Sequence, residues 1–224
     1  VGCGLHGTWA ARCLAEHQRL TRERTRLHYQ ALFAVVQGAQ YENLRRQAAR
    51  DLVSLIIEGS GFDGYGIGGA LEKENLGTIV RWVCEELPEN KARHLLGISE
   101  PDDIFTAIEN GVDTFDCVSP SRVARNAAVY TVRGRFNVTA AACRRSFSPI
   151  DEDCDCYTCM HYTQAYLHHL FKAREMLAST LCTIHNERFV VRLVDDIRAS
   201  IEAGTFSDFK IDFLGRYYGS SSNR

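Results

Sequence analysis

Three cysteines within six residues, Cys154-Asp155-Cys156-Tyr157-Thr158-Cys159, and a histidine at position 185 constrain this chain more than any other feature. Thiols this close cannot pair among themselves without straining disulfide geometry and leaving one sulfur over. They can converge on one tetrahedral cation. With His185, the set Cys154, Cys156, Cys159 and His185 fills all four positions of a structural zinc site. A catalytic zinc keeps one position open, so the spacing predicts a closed site holding one zinc per chain. The alternative without metal is three buried cysteines and a histidine that caps a helix.

The chain has nine cysteines, an odd number. It shows no secretory leader pattern, and its densest cysteine cluster has metal spacing, so a reducing cytoplasm is expected rather than a disulfide framework. No apolar run approaches about 18 residues, so nothing is expected to span a membrane. The opening Val1-Gly2-Cys3-Gly4 reads as a cut made inside a longer protein, and residues 215–224 read as a frayed, flexible tail.

Taken in order, the chain alternates. Residues 8–32 carry one long helical pattern, with Trp9, Cys13, Leu20, Leu27 and Ala31 separated by charged residues. Leu32-Phe33-Ala34-Val35-Val36 is a continuous apolar run, predicted to be a strand buried on both faces. Helices are predicted over 43–57, 75–87 and from Pro101 to Asn110-Gly111. Strands are predicted at 62–69, 94–98 and 114–118. Strands separated by helices mean βα units and a parallel sheet, and in such folds chemistry collects beyond the carboxyl ends of the strands. Those ends carry Gln37-Gly38, Gly68-Gly69, Gly97 and Asp116. Glycines there let a flat ligand lie against backbone N–H groups, and Gln37 offers a donor and an acceptor to a base edge. The plainer alternative is that the glycines only make tight turns. Beyond Arg122 the period changes again: 129–132 and 135–138 read as a β-hairpin joined by Arg133-Gly134, and 162–201 recurs at helical spacing up to Gly204.

A net charge of −2 argues against a generally basic nucleic-acid binder. A local basic surface remains, because no acidic residue lies between Asp116 and Asp151. That interval holds Arg122, Arg125, Arg133, Arg135, Arg144 and Arg145, interspersed with Asn126, Tyr130 and Phe136. Guanidinium groups among aromatics suit phosphates and unstacked bases, whereas scattered solvated arginines are the alternative.

The segments Phe115-Asp116-Cys117-Val118-x-Pro120-x-Arg122-x-x-Arg125-Asn126, Pro149-Ile150-Asp151-x-x-Cys154-x-Cys156-x-x-Cys159, Ala165-Tyr166-Leu167-His168-His169-Leu170 and His185-Asn186 resemble the tRNA-guanine transglycosylases. Val36-Gln37-Gly38, Phe62-Asp63-Gly64-Tyr65 and Gly68-Gly69 fit the same family, so the resemblance covers nearly the whole chain. It is nearest to the bacterial branch, since no extra RNA-binding domain follows the zinc region. The resemblance implies a TIM (β/α)8 barrel with an inserted zinc-binding subdomain. It implies exchange of the wobble guanine of tRNAs with a GUN anticodon for the 7-deazaguanine preQ1, on the way to queuosine, and a homodimer. By the same resemblance Asp116 is the nucleophile that holds the ribose as a covalent intermediate. Gln37, Gly68, Gly69 and Glu74 contact the base, Arg122 and Arg125 grip the tRNA, and Cys154, Cys156, Cys159 and His185 bind the zinc. Tyr162, Tyr166 and His169 match the family's homodimer contact.

The sequence departs from the family at Ala70-Leu71-Glu72-Lys73-Glu74, where the bacterial pattern has Leu-Ala-Val-Gly-Glu, although Glu74 keeps the place of the base-switching glutamate. A whole barrel has eight strands and this sequence offers four. The family's general acid/base and base-reading aspartates have no counterpart here. The expected organisation is therefore the C-terminal half of the barrel with base pocket and nucleophile at 1–125, a zinc subdomain with closing helices at 126–214, and the tail at 215–224. The N-terminal half of the same protein is the expected partner. Two other readings stand beside this one: a zinc-dependent, non-catalytic tRNA-binding subunit, and a hydrolytic βα-barrel acting on free nucleosides.

Overall fold

Parallel strands need long crossovers, and the sequence supplies them as helices. A computed structural model of the chain describes residues 2–24, 28–69, 73–98 and 100–219. The chain divides into two units, Val1–Asp116 and Cys117–Arg224. In the first, α1 (Gly2–Glu23), β1 (Phe33–Val36), α2 (Glu42–Ser54), β2 (Gly64–Ile67), α3 (Leu76–Cys84), β3 (Ala92–Leu96), α4 (Pro101–Glu109) and β4 (Thr114–Asp116) follow one another. The four strands form one parallel sheet in the order β1-β2-β3-β4.

α1 is shorter than its periodicity predicts. It ends at Glu23, and residues 28–32 are not helical; Thr25, Arg26 and Leu27 lie outside the described residues. A distant side chain holds the lead-in to β1 extended. The Asp63 carboxylate accepts from the Leu32 N–H and from the Tyr29 hydroxyl, both at 2.7 Å.

β1 is not buried on both faces. Ala34 and Val36 are buried, whereas Phe33 and Val35 are exposed. The physical reason lies in what covers the sheet. Ala34, Val36, Tyr65, Ile67 and Leu95 pack into one core with Leu14 of α1, Ala49 and Leu52 of α2, Leu76, Val80 and Val83 of α3, and Ala107 of α4. The opposite face carries Phe33, Val35, His94, Leu96, Thr114 and Asp116. Glycines on β2 fit between the neighbouring side chains there: a Cβ on Gly64 would lie 2.5 Å from the Phe33 ring. Phe33, Val35 and Leu96 remain 38–42% exposed, leaving apolar side chains on the open face of the sheet.

The second unit begins with α5 (Ser119–Arg125), which has Pro120 in its first turn where the missing N–H costs little. The antiparallel hairpin of β5 (Ala128–Thr131) and β6 (Gly134–Asn137) follows, then α6 (Tyr157–His161), α7 (Gln164–Lys172), α8 (Met176–Glu202) and α9 (Phe206–Gly219). α7 starts at a threonine cap, the Thr163 hydroxyl oxygen accepting from the Tyr166 N–H. α8 stops at Gly204, whose φ of +70° suits a residue without a Cβ. The core of this unit joins Ala124, Val129, Val138, Ile150, Leu167, Leu170, Ala178, Leu181 and Cys182.

The tail expected from residue 215 is helical through Gly219, and Tyr217 is buried. Phe209, Phe213 and Tyr217 recur every fourth residue, with adjacent rings 6.0 and 5.9 Å apart, so α9 has an aromatic face of its own. Residues 220–224 lie outside the described residues. No described helix is long and apolar enough to cross a membrane.

Candidate functional site

In the first unit, candidate residues gather where the parallel strands end. Gln37 follows β1, Gly68 and Gly69 follow β2, Gly97 follows β3, and Asp116 is the last residue of β4. Two backbone bonds hold this rim in register: the Gly68 N–H donates to the Val36 carbonyl at 3.1 Å, and the Gly97 N–H donates to the Asp116 carbonyl at 2.9 Å. The Gln37 amide lies over the double glycine. A Cβ on Gly68 would come within 2.9 Å of Gln37 Nε2, and one on Gly69 within 2.9 Å of Gln37 Oε1. Gly69 also has φ of +95°, so its backbone conformation favours glycine at this place. The result is a shelf of bare backbone beside one amide whose donor and acceptor have no hydrogen-bond partner among the described residues.

Beneath the shelf lies a residue that pattern reading missed. Arg45 of α2 is fully buried. Its guanidinium donates to the carbonyls of Ala39, Gly68 and Val36, at 2.8, 2.6 and 3.3 Å. Burial away from water lowers its pKa below the usual arginine value. It ties the ends of β1 and β2 together from below, and an arginine in an otherwise polar helix gives no sequence signal of that.

Asp116 is exposed on the open face of the sheet, its side chain 60% accessible. Its Oδ1 lies 3.0 Å from Nε2 of His94 on the adjacent strand. Sequence reading did not single out His94. Glu74 stands on the short 3-10 turn Lys73–Asn75 and is exposed; among the described residues nothing ties it to Gln37, Gly68 or Gly69. The departing residues Ala70, Leu71 and Glu72 lie outside the described residues.

In the second unit, Cys154, Cys156, Cys159 and His185 come together with all four ligand atoms within 4.8 Å of one another. They are the only group of this kind among the described residues. The Nδ1 of His185 lies 3.6, 3.6 and 3.3 Å from the sulfurs of Cys154, Cys156 and Cys159. A four-coordinate ion with metal–sulfur bonds of about 2.3 Å and a metal–nitrogen bond of about 2.0 Å requires nitrogen–sulfur edges of about 3.5 Å. The nitrogen–sulfur edges therefore match those of one four-coordinate metal ion, which this donor set could hold.

Electrostatics point the same way. His185 Nε2 is 2.7 Å from the Tyr130 carbonyl, which only accepts, so Nε2 carries the proton and Nδ1 presents its lone pair to the sulfurs. Hydrogen bonds from Cys154 and Cys159 push the Cys156 thiol down, and contacts with Cys154 and Cys156 push Cys159 up. Three sulfurs this close cannot all ionise unless a cation neutralises them. The Cys159 N–H also donates to Cys156 Sγ at 3.3 Å, across the first turn of α6. Arg188 of α8 clamps the loop between the ligands by a bidentate pair with Asp155, at 2.7 and 2.8 Å.

Asn186, beside the histidine ligand, is buried with every polar atom used. Its Oδ1 accepts from the Tyr130 N–H at 3.1 Å, and its Nδ2 donates to the carbonyls of Pro120 and Ala128, both at 3.0 Å. Asn186→Ala would strand three buried backbone groups. It is expected to lower the stability of the second unit by about 3 kcal/mol, read as a shift in denaturant midpoint with metal content unchanged.

The six arginines from Arg122 to Arg145 are all exposed. Arg122 and Arg125 occupy the last turn of α5, and Arg144 and Arg145 end the 3-10 turn Ala141–Arg145. Tyr157, Tyr162 and Tyr166 line one ridge with ring centroids 5.8 and 5.3 Å apart, and Tyr157 and Tyr166 are exposed. His168 is buried with its Nδ1 on the Val138 carbonyl, while His169 is exposed, so the adjacent histidines serve different surroundings.

A family model described as queuine tRNA-ribosyltransferase matches residues 6–219. A queuine tRNA-ribosyltransferase of Dehalococcoides mccartyi is 47% identical over 212 residues, covering 93% of this chain and 51% of the relative. One of Symbiobacterium thermophilum is 42% identical over 219 residues, covering 96% and 52%. One of Bacillus subtilis is 42% identical over 212 residues, covering 93% and 52%. The chain thus spans about half the length of the curated relatives it matches.

Proposed function

Because the chain belongs to the queuine tRNA-ribosyltransferase family, we propose that it is the C-terminal half of a tRNA-guanine transglycosylase that exchanges the wobble guanine of GUN-anticodon tRNAs for preQ1. The observation that carries this reading is the exposed Asp116 carboxylate on the same sheet rim as the Gln37 amide and the Gly68-Gly69 shelf. In this reading the four strands are half of a (β/α)8 barrel. The exposed Phe33, Val35 and Leu96 support it, since a closed barrel buries such a face against the remaining strands.

The chemistry follows the logic of a retaining glycosidase with a purine as leaving group. A lone pair of the Asp116 carboxylate forms a bond to the ribose anomeric carbon. The carbon–nitrogen bond to guanine breaks, and its electron pair leaves with the purine. A general acid from the N-terminal half protonates that purine. The incoming deazapurine then attacks the same carbon through a ring nitrogen, whose proton passes to the now-deprotonated general acid/base, and the ester's electron pair returns to Asp116. Gln37, Gly68 and Gly69 read the base edge, and Glu74 lies in the segment that adapts to the incoming base. Arg122 and Arg125 bind the tRNA by charge. Net negative charge elsewhere makes this local basic surface the electrostatic guide. The metal is zinc, a structural ion that closes the Cys154, Cys156, Cys159 and His185 site and leaves no position for substrate. Tyr162, Tyr166 and His169 belong to a homodimer contact. The setting is the cytoplasm.

The test is incorporation of labelled guanine into tRNA. The full-length protein is expected to exchange it, and residues 1–224 alone are expected not to, for want of the general acid. No exchange by the full-length protein overturns the function and favours a non-catalytic tRNA-binding subunit. Exchange by residues 1–224 alone overturns the half-barrel reading.

A further inference from the structure

His94 lies between two side chains of the adjacent strand. The register sets His94 of β3 opposite Thr114 of β4 and Leu96 opposite Asp116. The imidazole therefore bridges two residues on one face: Nδ1 is 2.9 Å from the Thr114 hydroxyl and Nε2 is 3.0 Å from Asp116 Oδ1. An ionised carboxylate only accepts, so Nε2 must carry a proton for this contact to be a hydrogen bond. The hydroxyl of Thr114 satisfies Nδ1 either by donating to it or by accepting from it. The second carboxylate oxygen, Oδ2, has no hydrogen-bond partner among the described residues, and the side chain is 60% exposed.

From this geometry we propose that His94 is the positioning residue of the nucleophile. It fixes Asp116 through Oδ1 so that Oδ2 is presented to the anomeric carbon. The inference rests on the proposed transglycosylation and assigns within it a role that pattern reading gave to no residue. Its consequence is two-sided. When Oδ2 forms the ester, the Nε2–H keeps the carboxyl plane aligned, Oδ1 becoming the ester carbonyl oxygen. When the incoming purine displaces the ester, negative charge returns to the carboxylate, and the same charge-assisted hydrogen bond receives it. Thr114 acts one step further back by fixing the ring.

The test uses the full-length protein and single-turnover kinetics of adduct formation and decay, with tRNA affinity measured separately. His94→Phe keeps a flat aromatic ring of similar bulk and removes the donor. It is expected to slow both covalent steps about tenfold or more while tRNA affinity changes less than about twofold. His94→Gln, whose amide N–H can reach the carboxylate, is expected to recover rates to within about threefold of the unsubstituted protein. A merely structural role would not show that rescue. Unchanged covalent rates in His94→Phe, or a folded His94→Gln no faster than His94→Phe, overturn the inference and leave the proposed function standing. Absence of any adduct in the unsubstituted protein overturns both. If His94→Phe does not fold, imidazole 15N resonances decide: Asp116→Ala is expected to shift Nε2 of His94, and an unmoved resonance overturns the inference.

Discussion

Asp116→Asn in the full-length protein is expected to abolish the covalent tRNA adduct and to lower guanine exchange by about 10^4-fold or more, while tRNA binding stays within a few-fold of normal. The substitution is nearly isosteric. The Asn amide oxygen can still accept from His94 Nε2–H, so the rim keeps its geometry while the anionic nucleophile is lost. A loss of about 10^4 in rate corresponds to about 5.5 kcal/mol of transition-state stabilisation. In the proposed function tRNA binding draws on arginine–phosphate and base contacts, so it is expected to be spared, the exposed Arg122 and Arg125 being untouched. Labelled tRNA on a denaturing gel reads the adduct directly. A stable adduct in Asp116→Asn would remove Asp116 from the nucleophile's role, and loss of tRNA binding in parallel would recast it as a binding residue.

The parallel sheet was legible because apolar runs alternate with helical stretches, and the strand ends because glycines and Asp116 punctuate them. The candidate metal cluster was legible from spacing: Cys154, Cys156 and Cys159 leave few other chemistries, and His185 brings a fourth donor atom from α8. What sequence could not show depends on register and coverage. His94 meets Asp116 across 22 residues only because β3 and β4 pair with His94 opposite Thr114. A one-residue slip would turn the imidazole to the other face. The apolar run of β1 looked doubly buried because a sequence does not say how many faces its helices will cover. Arg45 was invisible for a related reason, since its partners are backbone carbonyls from two strand ends. α9 was readable and overlooked. Phe209, Phe213 and Tyr217 lie at helical spacing, but Gly215, Gly219 and the serines after them suggested a tail.

Removal of the proposed zinc is expected to unfold most of the second unit and to leave the first unit's sheet intact. Structural zinc contributes on the order of 10 kcal/mol to its module, and whole domains are stable by only about 5–15 kcal/mol, so the loss takes most of the margin. The reason it spreads lies in what the ligands hold. His185 fixes the hairpin through the Tyr130 carbonyl, and Asn186 beside it fixes Pro120, Ala128 and Tyr130. Thr158, between two cysteine ligands, donates from its buried hydroxyl to the Leu181 carbonyl at 2.7 Å. Freeing the sulfurs therefore loosens α6, the hairpin and the middle of α8 together. Strong chelation or Cys156→Ser should lower the melting temperature of the second unit by tens of degrees and erase amide protection across residues 128–162. Protection in β1 to β4 should persist, because their core of Ala34, Val36, Tyr65, Ile67 and Leu95 draws on α1 to α4. Acid should act as chelation does, since protons compete with the metal for three thiolates and an imidazole. Metal analysis with hydrogen exchange measures this. A metal-free second unit with native protection would show that its apolar core suffices, and the cysteines would then be buried thiols rather than ligands that the fold depends on.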